Sequence, residues 1–101
     1  MIVTDYFGNE IIVIPYRTKY AYKNNLAIYL DTDDGEPYAQ LTVNLGTKLE
    51  KDLAFVDTNN CPWAEEFIEK YELGEPMGAY ASSGFCTYPL YRFRLDKIAE
   101  V

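Results

Sequence analysis

Asp57-Thr58-Asn59-Asn60-Cys61-Pro62-Trp63-Ala64-Glu65-Glu66-Phe67-Ile68-Glu69-Lys70-Tyr71-Glu72-Leu73-Gly74-Glu75-Pro76 is the stretch that decides the fold. Asn60 or Cys61 can cap a helix here, and Pro62 suits its first turn, where a missing N–H costs nothing. Glu65 and Glu66 sit near the N-terminal end, which favours negative charge. Ala64, Phe67, Ile68 and Tyr71 recur at three and four residues and give one buried face. Burying Phe67 and Ile68 contributes about 2–3 kcal/mol each. Gly74 suits a left-handed C-terminal cap, and Pro76 prevents continuation. One amphipathic helix is expected, and the rest of the chain must provide the surface that receives it.

Outward from the helix the pattern changes to period two. Leu26, Ile28 and Leu30 alternate with Ala27, Tyr29 and Asp31, while Leu41, Val43 and Leu45 alternate with Gln40, Thr42 and Asn44. This predicts strands over Leu26–Asp31 and Tyr38–Leu45, joined by a hairpin turn across Thr32–Pro37 that contains Asp34-Gly35. Ile2–Phe7 and Glu10–Tyr16, around Gly8-Asn9, predict another hairpin. Its second strand, with Ile11-Ile12-Val13-Ile14, is apolar on both faces and is expected to be central. Arg17–Asn25 reads as a strand continuation or an irregular excursion, with a turn at Asn24-Asn25. Leu53–Val56 is a short candidate strand. Ser82-Ser83-Gly84 signals a turn, and Tyr88–Leu95 places Tyr91, Phe93 and Leu95 on one face and Arg92 and Arg94 on the other. The expected fold is a single α+β domain, a mostly antiparallel sheet of about five strands with one helix packed on it.

Composition narrows the function. No apolar run reaches membrane-span length, and the N-terminus lacks the pattern of a signal peptide, so a soluble cytoplasmic protein without membrane partners is expected. The chain has no histidine, which removes imidazole bases and most zinc sites from the chain's own chemistry. Two cysteines, Cys61 and Cys86, cannot build a zinc site alone. The net charge is −7, with twelve acids against three bases over residues 31–80. Such a middle segment repels phosphates and attracts a basic partner, or simply forms a solvated surface.

Each candidate site has a structural reading beside it. Cys61 at a helix N-terminus could carry a stabilised thiolate, but it has no histidine to act as base, so packing or capping is the preferred role. Asp31, Asp33, Asp34 and Glu36 suggest calcium only superficially, because the glycine falls one place early and Thr42 stands where a bidentate glutamate belongs. No metal or other cofactor is expected. Arg17, Lys19, Tyr20, Tyr22 and Lys23, with Arg92 and Arg94, interleave bases and aromatics as single-stranded nucleic-acid binders do, and equally as half-buried strands do. Asp57, Asn59, Asn60 and Trp63 form a polar-aromatic cluster suited to recognition or to turn closure. Glu65, Glu66, Glu69 and Glu72 read as a charged helix surface.

Phe55-Val56-Asp57-Thr58-Asn59-Asn60-Cys61-Pro62-Trp63, with Leu73-Gly74-Glu75-Pro76 and Gly84-Phe85-Cys86-Thr87-Tyr88-Pro89-Leu90-Tyr91, resembles a small bacterial family known as a domain of unknown function. The likeness spans about residues 26–94 and is weaker over the N-terminal hairpin. It implies the setting of conjugative and other mobile elements, among accessory and antirestriction genes, and assigns no catalytic residue. The resulting expectation is a non-enzymatic binding protein that engages a protein partner through Asp31, Asp33, Asp34, Glu36, Asp57, Asn59, Trp63, Glu65, Glu66, Glu69 and Glu72, with duplex-DNA mimicry as one form. Single-stranded nucleic-acid binding through the basic-aromatic residues is the alternative.

Overall fold

The computed structural model describes residues 1–101 and has nine strands, one α-helix and a short 3-10 helix at Leu95–Lys97. β1 (Ile2–Thr4) and β2 (Glu10–Lys19) form the N-terminal hairpin, with Ile2 opposite Ile12. The Asp5 carboxylate closes its turn by accepting the N–H groups of Phe7 and Asn9 at 2.9 and 2.8 Å. β2 is central. β1 and the parallel β9 (Ala99–Glu100) lie along one side of it, and β3 (Leu26–Thr32) along the other. Val13 is fully buried, but Ile12 and Ile14, on the opposite face, remain 53% and 39% exposed. β4 (Pro37–Gln40) completes this five-stranded sheet.

The strand expected over Tyr38–Leu45 is two strands in two sheets. After β4 the chain passes through Leu41 into β5 (Thr42–Val43), which opens a second sheet ordered β5, β6 (Leu53–Val56), β8 (Cys86–Phe93), β7 (Gly74–Ser83). The Leu41 N–H donates to the Ile28 carbonyl at 2.9 Å, and its carbonyl accepts the Asp57 N–H at 2.9 Å. One fully buried residue is thus bonded to both sheets. Alternation also fails at Thr42, which is buried rather than solvent-facing. Its hydroxyl accepts the Ile28 N–H at 3.1 Å and shares a hydrogen bond with the Tyr20 hydroxyl at 2.9 Å, which satisfies it in the interior.

Both helix boundaries depart from expectation. α1 is Ala64–Lys70, and its N-cap is Trp63, without a side-chain cap. Asn60 and Cys61 belong instead to a preceding turn closed by Asp57, whose carbonyl accepts the Cys61 N–H at 2.9 Å. At the other end the left-handed residue is Glu72 (φ 53°), not Gly74. The Glu72 N–H reaches the Glu69 carbonyl and the Leu73 N–H reaches the Ile68 carbonyl, so the helix ends in a Schellman motif with Leu73 and Ile68 both buried. Gly74 starts β7 and is needed for a different reason: a Cβ there would lie 2.7 Å from the Arg92 carbonyl oxygen. Ala64, Phe67 and Ile68 fill a core shared with Val13, Ile28, Leu30, Leu41, Val56, Tyr91 and Phe93. The fold is α+β, with one helix and mostly antiparallel sheets of five and four strands.

Candidate binding groove

The solvent side of α1 carries Glu65, Glu66 and Glu69, and Glu72 follows at the left-handed residue just beyond its C-terminal end. Beside it runs the start of β7, and between them lies a groove of about 760 Å³ lined by these four glutamates, Gly74, Glu75, Pro76, Tyr91 and Arg94. Arg94 is its only base. Tyr91 donates its hydroxyl to a Glu65 carboxylate oxygen at 2.7 Å, which fixes one wall to the sheet. Burial, then this bond and the Glu65 charge, push the Tyr91 hydroxyl pKa well up, so it remains a donor at physiological pH. The other glutamates have no hydrogen-bonded side-chain partner and are free to meet a cation.

The remaining candidate acids lie elsewhere. Asp33, Asp34 and Glu36 form the β3–β4 turn, where the Thr32 hydroxyl bonds Asp34, and the Glu36 N–H donates back to that hydroxyl at 3.1 Å. Asp31 lines a separate shallow cavity with Tyr29, Pro37 and Tyr38. Asp57 is buried, and its carboxylate takes the Asn60 N–H at 3.2 Å and the Asn60 side-chain amide at 2.9 Å, so it closes a turn. Asn59 is exposed on that turn. Trp63 packs between Tyr38 and Phe67, with ring centroids 6.1 and 5.9 Å away. It borders a cavity of about 240 Å³ with Ile2, Val3, Glu66 and Lys70.

The basic-aromatic residues are dispersed. Arg17 donates to the Leu95 and Ile98 carbonyls at 3.2 and 2.9 Å and pairs with Glu100 at 3.1 Å, so it pins the C-terminal segment. Arg92 pairs with Asp52 at 2.7 Å and Glu50 at 3.4 Å, and the Asp52 bond raises its pKa further. Tyr20 turns inward to Thr42 and Gln40. Lys23 lies over the Tyr22 ring at the β2–β3 turn, Lys19 borders a cavity near the C-terminus, and Arg94 joins the acidic groove.

Cys61 is a buried free thiol that donates to the Gln40 carbonyl at 3.5 Å, and Cys86 is also free. Desolvation, then the Asp57 charge, push the Cys61 thiol up to about 11, which keeps it protonated at neutral pH. No group of three or more His, Cys, Asp or Glu side chains converges closely enough to hold a metal ion. No helix is long and apolar enough to cross a membrane.

Two groove residues, Glu75 and Tyr91, are absent from the candidates the sequence offers, and Arg94, offered there for nucleic acid, sits here among the acids. Glu75 and Tyr91 are brought in by pairing of β7 with β8. Nothing in their local sequence signals this, because the contact is set by strand register. The β7–β8 hairpin adds exposed Met77, Tyr80 and Phe85. Their signal, three large apolar residues around Ser82-Ser83-Gly84, is visible in the sequence but reads equally as core.

Comparison with curated proteins finds no match. None is found among solved structures. A family model described as "Domain of unknown function (DUF4313)" matches residues 17–101, from the last three residues of β2 through β9, and leaves out β1 and the first seven residues of β2. The chain belongs to the DUF4313 family.

Proposed function

We propose that this is a non-enzymatic binding protein that engages a basic segment of a partner protein through the groove between α1 and β7. The observation that carries the reading is the convergence of Glu65, Glu66, Glu69 and Glu72 with Glu75 around one groove containing a single arginine. Carboxylates on one surface attract cations and repel phosphates, which sets the sign of the partner. The setting we assign is a cytoplasmic accessory protein of a mobile genetic element, with an anti-defence role. The resemblance carried by the Phe55–Trp63 run supports that setting. Duplex-DNA mimicry is its most specific form, with carboxylates presented to the DNA-binding surface of a host protein.

The test is capture of host proteins on the immobilised chain, with and without nuclease, beside a variant carrying Glu66→Lys, Glu69→Lys and Glu72→Lys. A nuclease-resistant partner that is retained at low salt and lost on reversal is the expected result. Retention unchanged by reversal would sink the groove as the site. Capture only of nuclease-sensitive material would move the reading to single-stranded nucleic acid and to Lys19, Tyr22, Lys23 and Arg94.

A further inference from the structure

We infer that the outer edge of β7 at Tyr80–Ser83 is a strand-addition site for an extended partner segment whose basic end enters the glutamate groove. The inference deepens the groove reading and rests on it for the sign of that basic end. β7 is the last strand of its sheet, and no strand of this chain pairs with its outer side. Other open edges are guarded by brevity: β5 and β9 have two residues each, β1 has three, and β4 has four and begins with Pro37. β7 has ten residues. Its first half is guarded by Pro76 and by a register shift between Pro76 and Tyr80. Tyr80, Ala81, Ser82 and Ser83 have neither charge nor proline, so this segment lacks the usual devices against pairing.

The register also fixes which backbone groups are open. Ser83 pairs with Cys86 across the two-residue Gly84-Phe85 loop, and Gly84 alone has positive φ (62°), as a type II′ turn requires. Ser83 and Cys86 therefore form a bonded pair, and by alternation so do Ala81 and Tyr88. The N–H and C=O groups of Tyr80 and Ser82 point outward. Tyr80 is opposite Pro89 and, two residues along, on the same sheet face as Tyr91 of the groove. An incoming antiparallel strand would pair at Tyr80 and Ser82, cover Tyr80 (68% exposed), and run its C-terminal end towards Glu72 and Glu75. That end must be basic. A second copy of this chain is the poorer occupant, because it brings another −7 of charge.

The probe is a labelled eight-residue peptide of alternating threonine and valine ending in two lysines, titrated against the full chain by fluorescence anisotropy. Saturable binding is expected. N-methylation of the two peptide amides that face Tyr80 and Ser82 should weaken it on the order of tenfold, while N-methylation of the alternate amides should not. Ser82→Pro, which removes an outward N–H that β8 does not use, should match the first result. Binding insensitive to either methylation pattern would overturn strand addition and leave the groove reading intact. A peptide with glutamine for lysine that binds equally well, with unchanged dependence on N-methylation, would keep strand addition and overturn the acidic groove. Dimerisation of the chain alone that Ser82→Pro abolishes would replace the peptide with a second copy and overturn the proposed occupant.

Discussion

At the scale of single residues, Cys61 and Glu72 show how position overrides residue type. Cys61 has the local sequence of a reactive thiol, but burial pushes its pKa from 9.0 to about 11. Below pH 9 the thiol is protonated in both folded and unfolded chains. Above it the unfolded chain loses a proton that the folded chain keeps until about pH 11, so stability falls with rising pH across that window. Cys61→Ala should therefore flatten the decline of the urea midpoint between pH 9 and 11, and in the native protein at neutral pH only Cys86 should react with a thiol reagent. Glu72 stands at the left-handed position that closes α1, where glycine is the usual occupant. Glu72→Gly should raise the unfolding free energy by about 0.5–1 kcal/mol, read by chemical denaturation, because relief of the left-handed conformation exceeds glycine's entropic cost. The carboxylate at this position borders the groove.

At the scale of elements, periodicity made α1, β3 and β8 legible, because each buries mainly one face and repeats at its own period, while β2 was legible as an apolar run next to a turn signal. The boundaries were less legible. Asn60 and Pro62 resemble helix-start residues, yet Asn60 is held by Asp57 in a separate turn, and Trp63 begins the helix without a side-chain cap. Gly74 resembles a cap because glycine has two uses, conformational freedom and absence of a Cβ, and only three-dimensional contact distinguishes them. Here the second applies. Gly74→Ala would bring a Cβ within 2.7 Å of the Arg92 carbonyl and 3.2 Å of the Phe93 Cα, both backbone atoms that cannot rotate away. The strand pair must separate, and a loss of about 1–3 kcal/mol is expected in equilibrium unfolding. Arg17 makes the same point for the C-terminal segment. Its sequence suggested a nucleic-acid contact, while its guanidinium holds Leu95, Ile98 and Glu100, residues too distant in the chain for any local pattern to reveal. Arg17→Ala should leave the core folded and raise amide exchange at residues 98–101, where the Val101 N–H bonds the Arg17 carbonyl.

At the scale of the whole molecule, the acids were legible as a charge imbalance and, for those around α1, as a helix surface, but which of the other acids join it was not. Glu65, Glu66 and Glu69 come together on the solvent side of α1, with Glu72 at its left-handed C-terminal residue beside them, whereas Asp31 and the turn acids Asp33, Asp34 and Glu36 depend on where the first sheet ends. That division follows from the crossing at Leu41, which the sequence hides because Gln40–Leu45 alternates as a single strand would. Leu41 is the structural joint between the two sheets: its N–H serves Ile28 in the first, its carbonyl serves Asp57 beside the second, and its side chain is fully buried in their common core. A core shared in this way predicts one cooperative unfolding unit. Leu41→Ala leaves the backbone bonds in place but opens a cavity among side chains from both sheets, at a cost of about 2–5 kcal/mol. If the sheets are one unit, amides of β3 and of β6 should lose exchange protection by the same amount. Loss confined to one sheet would mean that the two fold independently and that the groove, built on the second sheet and α1, does not need the first.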